Sequence, residues 1–214
     1  MTKSFSALVQ SAFRFLEDEF GFVVTRVDED EHRRFFGSYV EYASPHSIVG
    51  LTLDRGIVSI PEISRVADVD RFKATGRISL DRILEYSTST PEDLARLASR
   101  DFEEIKKAWE VVVAENQRRR HRLMSNVGSR LSDSEVDRRL ARYASLLKEY
   151  GEPFLRGDFS TWLSLHEYYW HWLIAHEIVH DMRWGEDLTF ENIEKRFSNV
   201  REYLHALRKE YGRE

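Results

Sequence analysis

Hydrophobic and polar positions divide the chain into an N-terminal part of mixed periodicity and a C-terminal part of purely helical periodicity. Leu8, Ala12, Phe15 and Leu16 recur at helical spacing, and Gly21 stands where a left-handed residue would close that helix. Four β-rich runs follow, over Phe22 to Val27, Phe35 to Tyr42, Ile48 to Leu53 and Ile57 to Ile60. Short turns separate them, Ala43-Ser44-Pro45-His46 and Asp54-Arg55-Gly56 among them, which predicts an antiparallel meander. Helix 1 is expected to cover one face of it, and Pro61 suits the end of an edge strand.

Beyond a short helix over Leu80 to Tyr86, the spacing is that of helices alone. Thr90 as N-cap with Pro91 in the first turn starts a helix expected to run over 91–123, with Leu94, Leu97, Phe102, Ile105, Trp109, Val112 and Val113 on one face. Ser132 and Glu135 have capping-box spacing before Val136, Leu140, Tyr143 and Leu147, predicting a helix over 133–149 that ends at Gly151-Glu152-Pro153. Asp158 and Gly185 bracket a third helix over 159–184, and Thr189 opens a fourth over 190–211. The predicted class is α+β: an N-terminal helix with a four-stranded antiparallel meander, then an all-α bundle. The corresponding domains are 1–88 and 89–214.

Composition narrows the function classes. In 214 residues, 42% apolar and 32% charged, the chain has the make-up of a folded globular protein. A formal charge of -5 gives no global pull towards nucleic acid or an anionic membrane. Without cysteine there is no disulfide, thiolate metal site or thiol nucleophile, which suits a reducing cytoplasm. Glu17, Asp18 and Glu19 interrupt the N-terminal region before a signal-peptide core develops, so a cytoplasmic location is expected.

Candidate chemistry concentrates in His176-Glu177-Ile178-Val179-His180, which fits H-E-x-x-H and resembles the zincin metallopeptidases in that short motif alone. Histidines four apart lie about 40° apart around a helix and can reach one zinc ion, with Glu177 activating its bound water. A third ligand would come from the turn after the helix, at Glu186 or Asp187. The longer H-E-x-x-H-x-x-G-x-x-H pattern fails, because Arg183 replaces its glycine and Glu186 its third histidine. Glu202 lies at a tolerable distance along the chain, yet points away from the stripe of Ile193, Phe197, Val200, Leu204 and Leu207. The same direction counts against a di-iron site from Glu177-x-x-His180 and Glu202-x-x-His205.

Other features bear on partners. Trp170 and Trp184 belong to an aromatic cluster with Trp162, Tyr168, Tyr169 and Trp172, on a helix that is apolar nearly all round. Such a helix is central in a bundle or lends a second face to a partner, including another copy of the chain. Arg118, Arg119 and Arg120 could meet an acidic surface, or simply complement a helix C-terminus. Arg156-Gly157-Asp158 spells an adhesion tripeptide, set aside because Asp158 is placed as a cap. The acidic run Asp28 to Glu31 is a further candidate contact.

Three stretches carry a resemblance: Phe13-Arg14-Phe15-Leu16-Glu17-Asp18-Glu19-Phe20-Gly21-Phe22, Tyr39-Val40-Glu41-Tyr42-Ala43-Ser44-Pro45 and Leu155-Arg156-Gly157-Asp158-Phe159-Ser160. They resemble small bacterial α+β proteins, some similar to the immunity proteins of toxin systems. The resemblance implies a non-catalytic protein that binds another protein, a toxin or defence component, with no cofactor. The rival expectation is a zinc-dependent hydrolase.

Overall fold

The structure is a computed structural model of the whole chain, described here for residues 4–29, 37–54, 57–72, 75–112, 132–180 and 189–213. It is α+β with an antiparallel sheet and many helices. Packing groups the chain into two compact units, each discontinuous in sequence: residues 1–83 with 124–159, and 84–123 with 160–214.

The first unit opens with α1 (Phe5–Ala12) and α2 (Arg14–Phe20). Ser4 caps α1 by accepting from the Ala7 N–H, and the Glu29 carboxylate accepts from the Phe5 N–H at 2.6 Å, the Ser6 N–H and the Ser6 hydroxyl. A carboxylate at a helix start satisfies orphan donors and opposes the positive end of the dipole. Part of the acidic run therefore serves α1. Asp28 in turn pairs with Arg26 at 2.5 Å, while Asp30 and Glu31 lie outside the described residues. Gly21 closes α2 with φ +68°, the left-handed cap expected from the sequence.

The sheet holds β1 (Val23–Asp28), β2 (Ser38–Ala43), β3 (Ser47–Asp54), β4 (Ile57–Val58), β5 (Glu62–Arg65) and β6 (Arg77–Ser79). Its order is β1-β2-β3-β5-β6, with β4 also paired to β3 and every pairing antiparallel. The four predicted strands are present. They are joined by β5 and β6, which carry the sheet past β3. Along β2 and β3 burial alternates strictly, with Val40, Tyr42, Val49, Leu51 and Leu53 inside.

Two short helices, α3 (Val66–Phe72) and α4 (Leu80–Thr88), flank β6, and α4 runs across the unit boundary. The long helix α7 (Asp133–Leu155) belongs to the sheet unit. Its expected Ser132–Glu135 capping pair is present: Glu135 accepts from the Ser132 N–H at 2.9 Å and the Ser132 hydroxyl at 2.8 Å. Those bonds hold the Glu135 carboxyl below its ordinary range.

The expected stop at Gly151-Glu152-Pro153 is not where α7 ends. It runs on through Pro153, because Phe154 and Leu155 are buried and draw the last turn into the core. A proline costs one ladder bond at this depth. Gly151 serves close packing instead: a Cβ there would come within 2.8 Å of Leu147 Cδ1 and 3.3 Å of Ile63 Cδ1.

The turn after α7 is built on Gly157 at φ +81°, packed so tightly that a Cβ would meet the His46 ring at 2.8 Å. The Ser47 hydroxyl donates to the Phe154 carbonyl, and the Arg156 guanidinium lies 4.9 Å from the Phe20 ring centre. The Arg156–Phe20 contact joins the first and third of the stretches that carry the resemblance. Asp158 sits in this turn, its N–H donating to the Pro153 carbonyl, not at the start of the next helix. The adhesion-like tripeptide is thus a helix terminus.

Buried beside β5 is an ion pair. Arg65 Nε lies 2.9 Å from Asp68 Oδ2, and its Nη2 donates to Oδ1 at 3.1 Å, with the Phe159 ring 5.7 Å from the guanidinium. Both side chains are nearly inaccessible.

The second unit is helical in its described residues: α5 (Pro91–Leu97), α6 over 102–112, α8 (Trp162–His180), α9 (Phe190–Arg196) and α10 (Ser198–Glu210). The predicted 91–123 helix is interrupted. Leu97 ends α5, and Asp101 caps α6 by accepting from the Glu103 and Glu104 N–H groups at 2.8 and 3.0 Å. Ile105, Ala108, Trp109 and Val112 form its buried stripe, while Val113 to Leu123 lie outside the described residues. The predicted 190–211 helix is divided at Phe197, which caps α9 and opens α10. The Thr189 cap stands as expected, accepting from the Asn192 N–H.

Central to this unit, α8 packs on α5, α9 and α10. Trp162, Leu163, Leu165, His166, Trp170, Ile174 and Ile178 are buried on different sides of it, as an all-round apolar helix requires. Trp162 is fully buried and donates its indole N–H to the Tyr203 hydroxyl at 2.8 Å. Among the described residues no helix is long and apolar enough to cross a membrane.

Candidate functional site

The H-E-x-x-H residues occupy the last turn and a half of α8. Spacings of three and four residues stack Tyr169, Trp172, His176 and His180 into one column. The Tyr169 and Trp172 rings are 6.4 Å apart and stacked, Trp172 and His176 5.0 Å and stacked, and His176 and His180 4.9 Å with a 51° tilt. Trp109 from α6 covers this column, its ring centre 5.4 Å from Trp172, 5.7 Å from His176 and 5.4 Å from His180. His176 is half-buried and His180 exposed, so the pair opens to solvent at its C-terminal end.

Glu177 faces elsewhere. It is buried, and its Oε2 accepts from Arg196 Nη1 of α9 at 2.5 Å. A carboxylate taken out of water needs a cation or a set of donors, and Arg196 supplies one. Held this way, Glu177 has one carboxylate oxygen engaged by the guanidinium.

The remaining sequence candidates divide by exposure. Trp170 is buried, with 7% of its surface accessible, and so presents no broad face. Glu202 and His205 are exposed on α10, away from Val200, Tyr203, Leu204 and Leu207, and for Glu202 this is the direction its place off the apolar stripe predicts. Arg118, Arg119, Arg120, Trp184, Glu186 and Asp187 lie outside the described residues. Among the described residues there is no group of three or more metal-ligating side chains.

Two partners of the site escaped the sequence reading. Trp109 belongs to the apolar stripe of α6, and nothing in its spacing says that it covers the histidines. Arg196 lies 19 residues beyond Glu177. The available signal was Glu177 itself, since a carboxylate on an all-apolar helix requires a cation from a neighbour. On the far side of α8, His171 is half-buried beside the Glu167–Arg208 pair, and burial holds its pKa below the ordinary histidine value.

A second surface lies on the sheet. β1 is the terminal strand and is exposed along most of its length, with Val23 60% and Val27 43% accessible. A bulge between Val24 and Arg26 shifts the register, so that Val23 pairs with Ala43 and Val27 with Val40 on opposite faces.

Beside it, Thr25 and Tyr39 donate their hydroxyls to Glu41, each at 2.9 Å, and Arg26 lies 5.5 Å from the Tyr39 ring centre. Burial first, then the bond to Glu41, pushes the Tyr39 hydroxyl up to about 12, so it stays a neutral donor near pH 7. Tyr39 lies over Gly50, where a Cβ would come within 2.9 Å of its hydroxyl oxygen.

No protein-family model, curated protein or solved structure matches the chain.

Proposed function

We propose that this chain is a non-catalytic cytoplasmic protein of the immunity or defence type, which works by binding another protein through β1 and the adjoining open face of the sheet. The observation that carries the reading is the exposure of Val23 on a terminal strand, on the same face as Arg26, Tyr39 and Glu41, with Val27 exposed on the strand's other face. Terminal strands are usually blunted by charge or proline. Here exposed valines stand beside an arginine and a carboxylate, a composition suited to a protein partner. The Glu177–Arg196 ion pair supports a non-catalytic reading of the motif, because it commits the one carboxylate that zinc hydrolysis would use. The zinc-hydrolase reading has the 4.9 Å approach of His176 and His180 in its favour.

Affinity capture tests the binding surface. The chain and its Val23→Glu/Val27→Glu variant are each used to retain partners from the source cell. A partner bound by the parent is expected to weaken at least ~10-fold in the variant, with the far-ultraviolet dichroism unchanged. Equal retention by both proteins would remove β1 as the contact.

A further inference from the structure

We infer that a second copy of this chain pairs with β1, edge to edge and antiparallel, about a two-fold axis at Val27, so that two sheets join into one. The inference rests on the reading of β1 as the contact surface and names the occupant it fits. Strand addition supplies main-chain hydrogen bonds along the outer edge of a terminal strand, and the side chains set which strand is accepted.

The side chains around Val27 are complementary to themselves. Residues directly opposite in an antiparallel pair share a face, with Cβ atoms about 5 Å apart. A two-fold axis at Val27 sets Arg26 opposite Asp28 of the second copy, Asp28 opposite its Arg26, and the two Val27 side chains opposite each other. In the register with β2, Arg26 stands opposite Glu41 and Asp28 opposite Tyr39, so both lie on the open face. Val27 stands opposite Val40, on the core face. The four charges then alternate in sign. Each guanidinium, already 2.5 Å from Asp28 of its own strand, gains the carboxylate of the other chain.

Val27 supplies the second argument. Its cross-strand neighbour Val40 is fully buried, yet Val27 on the same face is 43% accessible, and among the described residues no strand lies beyond β1. A second Val27 across the axis carries the apolar layer past that edge. The strand is also fixed at its end: Glu29, next in the chain, accepts from the Phe5 and Ser6 N–H groups of α1, so little freedom is lost on association. Proline is absent from β1, and its two charges are of opposite sign, so they attract a copy instead of repelling it. The other terminal strand, β6, is three residues long, so association closes at a dimer.

Sedimentation equilibrium on the purified full chain, with no other protein present, tests this. A monomer–dimer equilibrium is expected, with a dissociation constant on the order of 10–100 µM, as a short strand-to-strand contact implies. Arg26→Asp and Asp28→Arg should each weaken it at least ~10-fold, because each sets two like-charged pairs across the axis. Mixing the two variants should restore association, since every pair across the axis is then opposite in sign. Exchanging both residues in one chain should restore it as well. A chain that stays monomeric up to about 1 mM, or a dimer indifferent to both charge reversals, overturns the inference. A monomer that still captures another protein through Val23 and Val27 overturns the dimer alone. A charge-dependent dimer that captures no other protein supports the inference and overturns the binding of a different partner.

Discussion

Replacing Asp68 with alanine is expected to destabilise the sheet unit by about 3 kcal/mol, with a fall in its thermal midpoint on the order of 10 °C. The change takes the carboxylate from a guanidinium that is itself buried. Arg65 then keeps its desolvation cost but loses both short contacts with Asp68. In an exposed pair the loss would be under ~1 kcal/mol, because water would replace the partner. Burial decides which regime applies, and here both side chains are below a tenth exposed. Asp68→Asn should cost less, since it preserves the shape and one acceptor. Thermal unfolding followed by dichroism measures both. An Asp68→Ala protein as stable as the parent would show that the pair contributes little.

Trp162→Ala is expected to be as damaging to the helical unit, at roughly 3–5 kcal/mol. Trp162 is fully buried on α8 and touches His166 at a ring separation of 4.7 Å, while His166 touches Tyr203 at 4.9 Å. Removing the indole opens a cavity at the centre of the helices and also ends the bond to the Tyr203 hydroxyl. Trp162→Phe separates the two effects. It keeps most of the apolar volume and should cost about 1–2 kcal/mol, the share of the hydrogen bond. Denaturant titration of the two variants gives the comparison. Equal losses would mean that packing volume is not what Trp162 supplies.

Local signals along the chain were legible and long-range ones were not. Gly21, the Thr90-Pro91 start, the Ser132–Glu135 box and the Thr189 cap all act within one helical turn, so sequence spacing identifies them directly. Asp101-x-x-Glu104 was a readable start as well, but the apolar stripe from Leu94 to Val112 runs across the break and conceals it. The division at Phe197 is hidden in the same way by Ile193, Phe197 and Val200.

β5 gave no alternating pattern to recognise, because Ile63, Ser64 and Arg65 are all buried, one of them polar and one charged. Its place depends on the buried Arg65–Asp68 pair, which no periodicity records. For α7 the stripe Val136, Leu140, Tyr143 and Leu147 showed that a helix packs on something. It could not show that the partner is the sheet unit.

At the candidate site, the 40° offset of His176 and His180 followed from helical geometry alone. The commitment of Glu177 to Arg196 joins two helices, which spacing within one helix does not describe.

A double-mutant cycle between Glu177→Gln and Arg196→Gln tests that ion pair most directly. Stability of the parent, both single variants and the double variant is measured by denaturant titration under one set of conditions. The ion pair predicts a coupling free energy of about 1 kcal/mol or more, with Glu177→Gln destabilising the helical unit. A coupling of zero, with Glu177→Gln as stable as the parent, would free Glu177 for water and contradict the reading of the motif as structure.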